Sequence, residues 1–577
     1  MDAILSNALG QTTEDRRTSF IVYYRSNGSA VVWPADSVLG REIARAEEDI
    51  SRYGGDAPHE PSLRSPTPLP PDPQAVTWEG PDDPENPQNW SKGTKWLMTM
   101  VCIAMAVNVT FASSAPSAAT RVIQAHFEIK TEISYLITST FLMGYTLGPL
   151  VWGPGSELVG RRPIFIISMT LYTIFHLGQA LAQNIQTLTV TRFLDGFFAV
   201  APLVNAGGVI ADIWGAEMRG FAMSLFAASI FLGPVLGPVV GGYIIEAGLT
   251  WRWVFWVMMI FAGVCTVFTV IFFKETYAPV LLLNKAKARR KADPENAHNI
   301  FAAHEKQDWS LKAVTQRTLF RPFIMLAGET ILVLVTVYLS LIYGVLYCLF
   351  EAIPIIFIEK RGFTIGQNGL IFLGIGIGTT IGAMINIYLS RNYPTLIKEW
   401  RGFPPPEERL WSAMLGGCLF VIGIFWLGWS GNYPSVPWYV PAISTILVGM
   451  SICLIFISFL SYLVDTYLMY SASAFAANTF FRSLAAAAFP LFTVQMFTNL
   501  GVNWAATLVG CLGLLLAPMP FLFYKYGARI RESSKFAPCL DLKIAKMLAE
   551  EKLKTKGLAE LAAEQGPALE KPPPALV

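Results

Sequence analysis

The chain has 577 residues, of which 53% are hydrophobic and only 15% charged, with a mean hydropathy of +0.45 and a formal net charge of +2. A soluble domain carries about 25% charge, and a soluble chain this apolar would be left with a sticky surface; the composition points to lipid as the solvent. A net charge so near zero gives no case for nucleic acid as a partner.

From the N-terminus, residues 1–94 are polar and proline-rich. "MDAILSNALGQTTEDRR" carries acids and lacks the apolar run of a secretory signal. "HEPSLRSPTPLPPDPQ" reads as an extended linker, and 40–53 as a short surface helix. Apolar runs of transmembrane length follow at 95–115, 133–152, 163–183, 187–211, 220–244 and 252–273. A charged loop, 274–321, precedes six more at 323–350, 366–388, 410–429, 438–461, 471–497 and 502–524. Runs this long are helices, not barrel strands. The expected fold class is an all-α integral membrane protein with about 12 transmembrane helices. Its expected organisation is a largely disordered region at 1–94, a bundle at 95–273, a central loop at 274–321, a second bundle at 322–524 and a tail at 525–577. "LKIAKMLAEEKLKTKGLAELAAEQG" in that tail reads as a charged amphipathic helix.

Lysine and arginine set the orientation. One set of alternate loops holds Arg161, Arg162, Arg219, Lys274, the basic run from Lys285 to Lys291, Arg391, Lys398, Arg401 and Arg409. The opposite loops hold Arg121, Lys130, Arg252, Lys360 and Arg361. The first set, and with it both termini, is placed in the cytoplasm. The sequons at Asn27 and Asn89 are then expected to stay unglycosylated.

Catalytic patterns are missing. The chain has no Gly-Lys dipeptide and hence no P-loop, and no G-x-S-x-G or H-E-x-x-H sequence. Six of the seven cysteines lie scattered in apolar runs, which is not a disulfide framework. The five histidines show no metal spacing. No enzyme, metal or cofactor is expected, and active transport would draw on an ion gradient.

The break between the second and third runs, "GPGSELVGRRP", is unusually charged. Gly153 and Gly155 suit a tight turn, Pro154 a helix stop, and Pro163 the first turn of the next helix. Glu157 can meet a helix N-terminus or an arginine, and Arg161 and Arg162 can reach lipid phosphates or helix C-termini. In the fourth run Arg192 and Asp195 share a helix face. Charges inside a span cost at least ~2.5–3.5 kcal/mol each, so both are functional suspects. The fifth run holds "GPVLGPVVGG". Its glycines, Gly233, Gly237, Gly241 and Gly242, permit close helix approach, while Pro234 and Pro238 bend the span. In the second half Glu329 lies about two turns into the seventh run and Arg482 within the eleventh. Tyr343, Tyr347 and Phe350 recur at helical spacing and, with Asn108 and Asn205, are candidates to line a cavity for flat or cationic ligands. Taken singly, each aromatic reads first as helix packing.

These stretches resemble the major facilitator superfamily, in particular the fungal twelve-span drug:proton antiporter branch of multidrug, polyamine and toxin exporters. "GPGSELVGRRP" resembles that branch's G-P-L-S-E-L-x-G-R-R-P loop, with Gly155 as the departure, so Gly153, Glu157, Gly160, Arg161 and Arg162 are the implied gate. "GPVLGPVVGG" resembles its antiporter motif. Arg192 and Gly196 match the R-x-x-x-G setting of an arginine that the superfamily links to proton transfer. Asp195, Glu329 and Arg482 join Arg192 as coupling candidates. "DPENPQNWSKGTKW", "WRWVFW" and the stretch 461–492 extend the likeness over about 83–525.

The resemblance implies a monomeric proton-coupled exporter of amphipathic small molecules, with two pseudo-repeat bundles around a midplane site. It would need the proton gradient and no cofactor, and would sit in the plasma membrane, with the vacuolar membrane as the alternative. A polyamine exporter and an uptake permease of the same fold stay open as alternatives, with a nutrient sensor behind them.

Overall fold

In the computed structural model the described residues are 20–24, 30–34, 76–80, 82–294, 300–306 and 316–548. The expected surface helix at 40–53 and most of the tail helix lie outside them; within the tail, 540–548 is helical. The chain separates into two units. One comprises Met1–Thr77 and Leu282–Lys306. It holds an antiparallel pair, Phe20–Tyr24 against Ala30–Pro34, with Phe20 opposite Pro34. It also holds a small apolar cluster of Val76, Ala286 and Ala302. In the same unit Arg290 pairs with Glu305. Burial opposes ionisation of Glu305, but hydrogen bonds from Arg290 and the Ala302 N–H outweigh it and hold the carboxyl below its usual range.

The other unit, Trp78–Leu281 with Gln307–Val577, carries twelve long helices among its described residues. They are α1 (Lys92–Ser114), α2 (Thr131–Val159), α3 (Arg161–Ala180), α4 (Ile185–Ile213), α5 (Ala216–Glu246), α6 (Arg252–Phe272), α7 (Thr330–Pro354), α8 (Ile365–Leu389), α9 (Trp411–Asn432), α10 (Tyr439–Tyr467), α11 (Ser471–Leu500) and α12 (Val502–Leu516). Past Pro518, α12 continues as a helix over Met519–Glu532. Local signals start several of them. Ser91 accepts from the Thr94 N–H, Asn184 from Thr187, and Thr364 with Gln367 closes a capping box.

Eleven of the helices are long and apolar enough to cross a membrane. The twelfth, α2, has 29 residues but is diluted by Ser, Thr, Gly and Pro. Outward side chains are apolar, with Leu515 75% and Met384 63% exposed. Lipid can cover such a surface and water cannot.

The halves repeat. α1 packs on α5, α2 on α4, α3 on α4 and α6; likewise α7 packs on α11, α8 on α10, and α9 on α10 and α12. Adding six to each number turns one set into the other. The halves meet where α2 packs on α11 and α5 on α8, and the same operation exchanges these two contacts. One apolar core runs through both halves.

Three expectations need correction. Pro154 does not stop α2, and Gly153 and Gly155 are not in a turn; the helix runs on to Val159. The break comes at Gly160, whose φ of +108° is open to glycine. The seventh run is not one helix. Arg321–Gly328 ends at Glu329, which is extended at φ −113°, ψ 102°, and α7 starts after it. Glu329 therefore lies at the beginning of α7, not two turns inside it. The run expected at 502–524 is likewise interrupted, between Leu516 and Met519.

Candidate functional site

Several groups of polar and aromatic residues are built into the bundle. The first lies at the end where α2, α4 and α6 finish and α3 and α5 begin, here called the basic face. Gly160 is fixed by a neighbour that the sequence did not single out, Glu275. A Cβ at Gly160 would overlap the Glu275 carboxylate. That carboxylate accepts from the backbone N–H of Arg161 (2.9 Å), Arg162 (3.1 Å), Thr276 (3.0 Å) and Tyr277 (3.0 Å). An anion at the start of α3 satisfies orphan donors and meets the positive end of the helix dipole. This is the place the sequence suggested for Glu157, which is instead exposed on the last turn of α2. Burial, and then the nearby Glu157 charge, push the Tyr277 hydroxyl up to about 12.

Arg161 turns inward. Its guanidinium donates to Ser156 Oγ (2.6 Å) and reaches Asn205 Oδ1 at 3.5 Å, while Nε lies 3.5 Å from Asp212. It rests over the Tyr277 ring, and a Cβ at Gly208 would press on it. Asn205, a cavity candidate by sequence, sits within this network: it also bonds Ser156 and donates to the Trp152 carbonyl. Arg162 stays exposed and caps α6 through the Val270 carbonyl at 3.4 Å.

The second group is buried in the first half. Arg192, Asp195 and His176 are all 0% exposed. Arg192 donates to the carbonyls of Ile137 (3.0 Å) and Ala112 (3.1 Å), lies 4.2 Å above the Phe141 ring, and reaches Asp195 at 3.5 Å. His176 Nδ1 is 3.1 Å from Asp195 Oδ2. Small residues make this possible. A Cβ at Gly196 would overlap the Phe141 carbonyl, and one at Gly144 the Phe193 carbonyl, so α2 and α4 nearly touch. Sequence reading missed His176 as a partner. The available signal was a lone ionisable residue inside an apolar span.

The third group is aromatic and central. Tyr347 donates to Ser113 Oγ at 3.0 Å, and its ring meets Tyr343 (5.2 Å) and Phe350 (5.5 Å). Phe350 stacks on Phe372 of α8. Arg482 of α11 lies over Tyr343 (5.4 Å) and Phe456 (5.5 Å), and Phe456 meets Phe231 of α5. Both halves thus contribute. Ser113 and Ala112, which meet Tyr347 and Arg192, are consecutive on α1, so the second and third groups share one stretch of backbone. Asn108, one turn earlier, is buried with its amide unpartnered among the described residues.

The glycines of α5 have two targets. A Cβ on Gly233 would overlap Thr110, one on Gly237 Ser114, and one on Gly241 the Ala115 carbonyl, all on or next to α1. Gly242 faces the Ile365 carbonyl, and the Pro238 carbonyl faces Gly369 of α8. Further along this seam Glu246 accepts from the Gly366 N–H at 2.9 Å. At the same face, opposite the basic one, Arg121 pairs with Glu359 and Gln495 reaches Glu132 at 3.3 Å.

The second half has its own charge cluster at the basic face, which sequence reading did not find. Asp465, at the end of α10, accepts from Arg409 (2.8 Å) and Tyr393 (2.6 Å), much as Asp212 at the end of α4 meets Arg161. Arg531 is 1% exposed and donates to both Glu407 and Asp541. Glu329, a coupling candidate by sequence, accepts from Ser534 Oγ (2.6 Å) and the N–H groups of Lys535 (3.0 Å) and Phe536 (3.2 Å). It anchors the segment after α12.

A bundle of two repeated six-helix halves, lipid-facing outside and polar at its centre, is the architecture of a membrane carrier. The model of the Major Facilitator Superfamily matches residues 99–490, and the chain belongs to that superfamily. It is a transporter of that family and not an enzyme, as its relatives are. The citrinin biosynthesis cluster transporter of Monascus ruber is 41% identical over 483 residues, 83% of this chain and 95% of that protein. The multidrug transporter FLU1 of Candida albicans is 39% identical, covering 87% of this chain and 82% of that protein. The efflux pump MFS2 of Trichophyton rubrum is 41% identical, covering 83% and 80%. Among solved structures, the proton:xylose symporter XylE superposes with TM-score 0.56 at 16% identity, covering 79% of this chain and all of that one. The human organic anion transporter MFSD10 gives 0.52, also at 16%, covering 74% of this chain and all of that one. At such identity these two speak for the fold alone.

Proposed function

We propose that the protein exports amphipathic small molecules, drugs or a toxic secondary metabolite, in exchange for protons, by alternating access. The basic face lies in the cytoplasm with both termini, and the membrane is the plasma membrane. The observation that carries the reading is the fully buried carboxylate of Asp195 beside Arg192 and His176. An ionisable group held away from water inside a carrier is costly, which marks it as a functional candidate. The names of the relatives, transporters of biosynthesis clusters and efflux pumps, support the direction and the class of cargo.

In this reading a proton arrives from outside and occupies the buried carboxylate. The change is felt along α1, because Arg192 and Tyr347 hold consecutive residues of that helix. Cargo resting against Tyr343, Phe350 and Phe456 is displaced. The halves then rock on the α2–α11 and α5–α8 seams, and the Arg161 clasp closes the cytoplasmic side while the cavity faces out. One charge crossing 100 mV supplies ~2.3 kcal/mol, and one pH unit adds ~1.4 kcal/mol. Together these sustain a gradient of several hundredfold at roughly 1.4 kcal/mol per decade.

The test follows proton release from acid-loaded, inside-out vesicles with a pH-sensitive dye. Lipophilic cations, azoles, polyamines and polyketide toxins are added in turn, to wild type and to Asp195→Asn. Release triggered by one class and lost in the variant is expected. Release that survives the substitution moves the proton off Asp195, and no release with any class removes the antiport reading.

A further inference from the structure

We propose that His176 and Asp195 form one buried proton-binding site, joined through imidazole Nδ1 and carboxylate Oδ2, with Arg192 balancing the carboxylate charge. The proposal deepens the antiport reading and rests on it for what the proton does, though not for the existence of the site.

Arg192 is not primarily the partner of Asp195. Its two shortest polar contacts go to the backbone carbonyls of α2 and α1, at 3.0 and 3.1 Å, and the carboxylate is farther off at 3.5 Å. The arginine is thus tied to neighbouring helices and is not free to follow the acid. His176 is nearer, at 3.1 Å, yet its ring is not in line for a hydrogen bond: among the described residues both ring nitrogens and Asp195 Oδ1 lack a partner. Three orphan polar atoms at zero exposure are expensive. A rotation of the imidazole that brings Nδ1 into line with Oδ2 gives one of the three a partner and leaves Nε2 and Oδ1, either of which can take up a further proton. The site has a state with a neutral histidine beside a carboxylate and a state with one proton more, which is what a coupling site requires.

The surroundings allow little else to serve. α3 also presents Tyr172, 4.4 Å from the His176 ring, and its hydroxyl is directed to the Asn108 carbonyl at 3.4 Å. α2 presents Tyr145, whose hydroxyl is given to the Val109 carbonyl at 3.1 Å. α6 presents Cys265, directed at the Ala104 carbonyl. α4 itself supplies Arg192. The side-chain amides of Asn108 on α1 and Gln179 on α3 are likewise buried without partners among the described residues, so the interior here has polar capacity in excess of its bonds. That excess fits a site whose occupancy changes.

The full-length protein, with 15N-labelled histidine in lipid nanodiscs, tests this with the proton as the probe. The His176 signal is assigned by its loss in His176→Gln. Its two ring-nitrogen shifts are expected to differ between wild type and Asp195→Asn, because the contacting carboxylate sets which ring nitrogen carries the proton. Asp195→Glu, which keeps the charge but displaces it, gives an intermediate response. A His176 signal that is the same in wild type and Asp195→Asn at every pH overturns the proposal, even where the vesicle assay shows antiport. A coupled signal with no proton release in vesicles leaves the site standing and sinks the antiport reading instead.

Discussion

Gly160 shows how much one residue can decide. Its backbone lies where only glycine is comfortable, and a methyl group there would press on the Glu275 carboxylate that caps α3. Gly160→Ala is expected to cost on the order of 1–3 kcal/mol, read as a lower melting temperature of the detergent-solubilised protein, and to loosen Arg161. Glu275→Gln keeps the shape and removes the charge, so it is expected to weaken transport with a smaller loss of stability. A larger loss in Glu275→Gln than in Gly160→Ala would mean that the cap, not the turn, organises the clasp. The glycine, the two arginines and the buried Arg192–Asp195 pair were legible because each breaks a local rule, a charge where lipid is expected or a gap between apolar runs. Glu275, Asp212 and His176 were not singled out. Each gains its meaning from a residue on another helix, and no spacing along the chain encodes a partner 114 residues away, as Glu275 is from Arg161.

Among the helices, α5 carries the heaviest steric demands. Gly233, Gly237 and Gly241 lie one turn apart and leave no space for a side chain against α1, while Gly242 faces α8. Gly237→Val is expected to overpack the first half, costing about 1–3 kcal/mol, with reduced amounts of folded protein by fluorescence-detected gel filtration. Gly242→Val meets the backbone of the other half instead. It is expected to cost less than Gly237→Val, because the halves can part to make room, and to slow transport, because it obstructs a seam along which the halves move. Equal loss of folded protein in both would argue that the two faces of α5 have one purpose. The pattern of glycines was readable from the sequence, but its division between two neighbours was not, since residues 241 and 242 are adjacent in the chain and point to different halves. The segment after α12 makes a further demand. Arg531 is buried between Glu407 and Asp541, so Asp541→Asn leaves a buried charge half-compensated. A loss of about 3–5 kcal/mol, the range for a broken buried pair, is expected in thermal unfolding. Burial pushes the Glu407 carboxyl above its usual range, and Arg531 opposes that shift.

For the whole molecule, the number of spans and the two-bundle plan followed from apolar run lengths, because the bilayer imposes one length on all of them. The seams between the bundles, α2 with α11 and α5 with α8, were invisible in the sequence, as they depend on how six helices pack before they meet six more. The contacts at the face opposite the basic one offer a check. Cysteines placed by Glu132→Cys and Gln495→Cys are expected to cross-link readily at rest and less so during turnover with substrate. A yield that does not depend on substrate would mean that this seam is fixed and that the halves do not rock there.

The dilution of α2 reaches back to the making of the protein. A helix with two prolines, four glycines and a row of hydroxyl groups gains little from meeting lipid alone, and the gain for each residue sets whether a nascent segment leaves the translocation channel sideways. Its fit is with α4 and α11, and α11 is synthesised more than 300 residues later. The second helix must therefore wait, held beside the first and the fourth, until the other half of the protein exists. A chain cut after α6 is expected to be handed to degradation far sooner than its five more apolar helices would suggest.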